Sequence, residues 1–117
     1  MKESIIKTKS YKFSLGIISL YKELLVEKEF VLSKQLLRSG TSIGANIEEA
    51  LAGQSKKDFI AKMSILSKEA RETKYWLRLL NDSELTRLKV DHLLLDIDEL
   101  IRMLTAIVKT TQQNLNN

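Results

Sequence analysis

The chain has 117 residues, 44% of them hydrophobic and 29% charged, with a formal net charge of +4, a composition that suits one ordinary globular domain. It holds no cysteine, no proline and one histidine, which excludes disulfides and thiolate metal sites. No apolar run approaches the roughly 20 residues that span a bilayer, and the opening MKESIIKTKS has no apolar signal-peptide core, so no membrane partner and a cytoplasmic setting are expected.

Apolar residues recur every three or four positions, which predicts amphipathic helices throughout. The first is expected over about residues 7–28, on a stripe of Phe13, Ile17, Leu20 and Leu24, with Glu27 to Glu29 as the first turn. The second, over about 31–52, carries Leu36, Gly40, Ile43, Ile47 and Ala50. Gly53 is placed to end it in a left-handed cap. Ser55, with Asp58 three residues on, resembles a capping box at the head of a third helix over about 55–81. That helix has the most regular seam, in alternating steps of four and three: Phe59, Met63, Leu66, Ala70, Thr73, Leu77, Leu80.

Asn81 to Glu84 reads as the third turn, where Asp82 or Ser83 can cap a fourth helix over about 84–110. This helix carries two stripes. One is Leu93, Ile97, Leu100, Leu104 and Ile107; the other is Val90, Leu94, Ile101 and Val108. A bundle needs one apolar face, so the second is expected to meet another subunit. The polar tail 111–117 is expected to fray. Together the elements predict a single domain over residues 1–117, an all-α antiparallel up-down-up-down four-helix bundle.

Little catalytic chemistry is visible. The pairs Glu69/Glu72 and Asp96/Glu99 lack the histidine partners of di-iron bundles, and a solvated helix face explains them better than a metal site. There is no Gly-x-Ser-x-Gly elbow and no phosphate loop, so no cofactor, metal or small-molecule substrate is expected. Arg87 and His92 resemble the Arg-x4-6-His motif of the HEPN ribonucleases. That would make His92 a general acid/base and Arg87 a phosphate stabiliser. Leu88 stands where that family usually has a polar residue, and a surface histidine is the preferred reading.

Charge is uneven. Residues 54–81 carry seven Lys/Arg against three Asp/Glu, while residues 82–117 carry four against six. Lys57, Lys68, Arg71, Lys74 and Arg78 form a stripe beside the third helix's seam, suited to a phosphate backbone. With no interleaved aromatics, base stacking is not expected. Trp76, about 100° around from Leu77, suits core or subunit packing.

The stretch RSGTSIGANIEEA, Arg38 to Ala50, places Gly40 and Gly44 inside a helical pattern, although glycine costs a helix interior about 1 kcal/mol against alanine. Small residues four apart let another helix approach closely, and Asn46 beside the seam is expected to tie the helix to a neighbour. SIGANIEEA also resembles the SIxANIAEG signature of the four-helix bundle family named for the protein encoded in 23S rRNA intervening sequences. Ser42, Ile43, Ala45, Asn46, Ile47 and Glu49 match it, and Arg38 fits the arginine before it. Ser55 to Leu77 is similar to that family's third helix. Gly44 stands where proline is common and Ala50 where glycine is common, and both make the helix more continuous. The resemblance implies a bundle that assembles as a ring, a homopentamer, without catalysis. A relative that accompanies a reverse transcriptase implies RNA or DNA contact by the basic face. A scaffold for protein partners and a ribonuclease stay as alternatives.

Overall fold

The structure, a computed structural model, describes residues 2–53 and 55–116. Among these residues lie four helices: α1 (Lys2–Val26), α2 (Leu32–Leu51), α3 (Lys56–Ser83) and α4 (Asp91–Asn116). α1 packs on α2 and α4, and α3 packs on the same two, with no diagonal pairing of helices among the described residues. The result is a square bundle of 51 × 22 × 22 Å.

Every neighbouring pair is antiparallel. On α1 and α2, Ile17 meets Gly40, Ser14 and Ser10 meet Gly44, and Lys7 pairs with Glu48. On α2 and α3, Thr73 meets Ser39 and Lys62 pairs with Glu49. Lys74 pairs with Asp98 on α4, and Lys9 pairs with Glu99 across α1 and α4.

The core consists of the seams read from the sequence, except that Phe59, the first residue of the α3 seam, packs half-buried against its end. Phe13, Ile17, Leu20 and Leu24 of α1 are buried, as are Leu36, Ile43, Ile47 and Ala50 of α2. Met63, Leu66, Ala70, Leu77 and Leu80 of α3 close over Leu93, Ile97, Leu100, Leu104 and Ile107 of α4. Thr73 and Ser39 are buried inside this layer, where their hydroxyls hydrogen-bond to each other at 2.9 Å.

Several boundaries differ from the sequence pattern. α1 starts earlier because its stripe continues through Ser10 to Ile6, both buried. Ser10 is tolerated there because its hydroxyl donates to the Lys7 carbonyl at 3.0 Å. α3 runs to Ser83 and stops where Glu84 turns left-handed, at φ 57°. The Asn81–Glu84 turn therefore does not cap α4, which begins at Asp91, just after the buried Val90. α4 continues through the expected frayed tail to Asn116, with Thr111 beside Leu51, Ser55 and Phe59 in the cleft under the α2–α3 connection. Asn117 lies outside the described residues. Gly53 ends α2 without a left-handed conformation; its N–H donates to the Ala50 carbonyl at 3.1 Å.

The second stripe of α4 is not a separate face. Val90 is fully buried, and Leu94, Ile101 and Val108 pack half-buried against the core. At about 100° per residue the two stripes lie only some 80° apart, so they merge into one broad face that turns toward α1 and α3 together.

Candidate nucleic-acid interface

The four-three seam of α3 turns its intervening positions outward. Lys57, Lys68, Arg71 and Arg78 are exposed, and none has a carboxylate within ion-pair distance among the described residues. Ser55 caps this helix by accepting from the Asp58 N–H at 3.1 Å, so the row starts from a fixed end. From Lys57 to Arg78 it runs roughly 32 Å along the helix. Lys74 stands apart. It is half-buried and its Nζ lies 2.7 Å from Asp98 on α4, so it joins helices rather than standing free.

Two further cations extend the row. Antiparallel packing brings Arg102 and Lys109 of α4 alongside the α3 row, both exposed and without an ion pair among the described residues. Lys109 borders a shallow groove of about 350 Å³ between α3 and α4, lined also by Ser64, Ser67, Thr105 and Gln112. Its hydroxyls and amide are neutral donors next to the cationic row. The segment count hid these two residues, because residues 82–117 are acidic in sum; only the helix register shows them on the basic side.

The other singled-out residues serve packing. A Cβ on Gly40 would stand 2.8 Å from Ile17 Cγ1, and one on Gly44 would stand 3.5 Å from the Ser10 carbonyl oxygen. The thin face of α2 therefore receives α1. Asn46 does not reach a neighbouring helix; it donates to the Ser42 carbonyl of its own helix at 2.9 Å. Trp76 is half-buried, stacked edge-on against Tyr75, and donates to Glu72 at 3.0 Å.

Glu69 and Glu72 are held by Arg38, and Ser42 Oγ donates to Glu69 at 3.2 Å. Glu99 pairs with Lys9. No group of three or more potential metal ligands occurs among the described residues. Arg87 lies in the α3–α4 connection and His92 in the first turn of α4; both are exposed, and no hydrogen bond joins them. No described helix is long and apolar enough to cross a membrane.

No curated protein matches the chain. Among solved structures, it resembles a Bacteroides thetaiotaomicron protein of unknown function from the S23 ribosomal protein family, with 50% identity and a TM-score of 0.88. The alignment covers 93% of this chain and 99% of that one. The family model described as 23S rRNA-intervening sequence protein matches residues 2–106, the stretch that holds the Arg38–Ala50 signature, the first three helices and the first part of α4, and the chain belongs to that family.

Proposed function

We propose that this protein is a non-enzymatic helical bundle of the cytoplasm that assembles with itself as a ring, a pentamer, and binds structured RNA or DNA through the outward face of α3. The observation that carries the nucleic-acid reading is the row of four exposed cations, Lys57, Lys68, Arg71 and Arg78, on one helix, with no ion-pair partner among the described residues. Membership in a family named for 23S rRNA intervening sequences is in keeping with an RNA setting. Fixed cations on a preformed helix neutralise phosphates and release counterions. With no aromatic platform among them, the row tracks the backbone and is indifferent to sequence.

The test is a binding titration against duplex and hairpin RNA over a salt series. Four phosphate contacts per chain give a log–log slope of about −3.6, so affinity falls roughly 150-fold between about 50 and 200 mM salt. Changing Lys57, Lys68, Arg71 and Arg78 to Glu abolishes binding, whereas Lys74→Ala weakens it little because Asp98 already holds that lysine. The RNA is recovered uncleaved, and His92→Ala behaves as wild type. Absence of binding at about 50 mM salt overturns the reading and leaves a protein-binding scaffold, whose partners would survive nuclease treatment in a pull-down.

A further inference from the structure

α2 stands at the corner between two lateral faces that both expose apolar side chains. On the α1/α2 face, Tyr11 is 63% and Leu15 50% exposed. With Ile18, Thr41, Gly44 and Ala45 they line a groove of about 370 Å³. On the α2/α3 face, Ile65 is 49% exposed and lies on the same side of α3 as Trp76.

The two faces are opposite in character. The first is a trough, floored by small residues of α2 and walled by α1. The second exposes Ile65 on the side of α3 that also carries the half-buried Trp76 and the two carboxylates, Glu69 and Glu72, held by Arg38. Their charges complement each other. Among the described residues, Lys7, Lys12 and Lys22 accompany the trough against one carboxylate, that of Glu48, and only Lys7 is paired with it. Glu49, Glu69 and Glu72 accompany the projecting face against Arg38 and Lys62. A lateral face of a bundle 51 Å long and 22 Å wide offers roughly 1,100 Å², more than the roughly 800 Å² per partner of a standard interface.

We infer that a second copy of this chain occupies the trough, so that the α1/α2 face of one copy receives the α2/α3 face of the next. The contact is heterologous: it repeats by rotation from copy to copy, and a rotation that closes gives a ring. The inference rests on the self-assembly reading above and assigns the surfaces that reading needs.

The experiment measures mass by light scattering for wild type, Leu15→Glu, Ile65→Glu and an equimolar mixture of the two variants. Both positions are exposed, and circular dichroism verifies that the bundle stays folded. Wild type is a multimer, and each variant alone is a monomer of 13.4 kDa. Leu15→Glu keeps a sound α2/α3 face and Ile65→Glu a sound trough, so the mixture forms a species of two chains and nothing larger. Measurement at about 100 µM suffices, because interfaces of this area hold at micromolar concentration or tighter. A wild-type monomer overturns self-assembly itself. A wild-type multimer with either variant still assembled, or with a mixture that stays monomeric, overturns the assignment of these two faces.

Discussion

Gly40 and Gly44 lie one turn apart on α2, yet alanine at the two sites is expected to act in opposite directions. Either change gains about 1 kcal/mol of helix propensity. At Gly40 the new Cβ would stand 2.8 Å from Ile17 Cγ1 and 3.0 Å from Ile17 Cγ2. Ile17 is fully buried and, being β-branched, is stiff at χ1, so rotation that frees one γ-carbon drives the other into the site. Overpacking of this kind reaches about 3 kcal/mol, which leaves Gly40→Ala roughly 2 kcal/mol less stable than wild type. At Gly44 the nearest atom is Ser14 Oγ at 3.3 Å, a half-buried hydroxyl that donates to the Ser10 carbonyl, with the α1 backbone at 3.5 Å, both looser than the contacts at Gly40. Gly44→Ala is therefore expected between neutral and about 1 kcal/mol more stable. Urea denaturation of the three proteins reads the difference directly. In the Gly40→Ala background, Ile17→Ala should cost at least about 1 kcal/mol less than it costs alone. A Gly40→Ala protein as stable as wild type would falsify the argument that this glycine is kept for the approach of α1.

Glu29 caps α2 from outside the helix: its carboxylate accepts from the N–H groups of Val31, Leu32 and Ser33 at 3.2, 2.9 and 2.7 Å. Burial opposes its ionisation, but these backbone donors together hold its carboxyl below the usual range. Because the folded form is the stronger acid, the stabilisation is complete above the ordinary carboxylate range and is lost as pH falls through the depressed value. Glu29→Gln should cost about 1 kcal/mol at neutral pH, with the gap to wild type closing in strong acid when urea midpoints are followed across pH; a gap that does not change with pH contradicts this. Thr73→Val should cost about 1–3 kcal/mol because it strands the buried Ser39 hydroxyl; pairing it with Ser39→Ala should recover part of the loss in the same assay.

Wherever apolar spacing alone decides structure, the sequence was legible. The α3 seam from Met63 to Leu80 is buried throughout, and Ser55 caps its start as the Ser–Asp spacing suggests. The first turns of α1 were hidden because Ser10 interrupts the apolar stripe and is accommodated by a hydrogen bond that spacing cannot show. Apolar spacing puts the start of α4 too early, because Leu85, Leu88 and Val90 continue a helical rhythm across a connection that Glu84 has already turned left-handed. Spacing does not reveal the α2 cap, because Glu29 is a long carboxylate that reaches forward to the helix, not one of the short side chains that usually serve. At the candidate site, outward orientation followed from the seam, but pairing did not. That Lys74 is spent on Asp98, and that Arg102 and Lys109 join the row, both depend on the register between α3 and α4.

Assembly and the basic row make separable demands on the surface. α2 is shared by both contact faces, so in a ring built through them it points toward the axis. The α3/α4 side, with Arg71, Arg78, Arg102 and Lys109, then points outward on every copy and is not covered by assembly. A single row of roughly 32 Å matches about nine base pairs at 3.4 Å each. A short duplex of that length can engage one copy only, and should bind Leu15→Glu monomers as well as it binds the wild-type ring. A longer, folded RNA can reach rows on adjacent copies, where linkage raises affinity by about 10²–10⁴ without any new contact. Leu15→Glu leaves every cation of the row in place, because Leu15 lies on α1, so it removes avidity alone. Filter binding with short and long RNAs separates the two effects: the variant should lose at least about a hundredfold on long RNA and nothing on the short duplex. Equal affinity of ring and monomer for long RNA would mean that the rows of neighbouring copies do not act together. Equal losses on both lengths would place Leu15 in the binding surface itself.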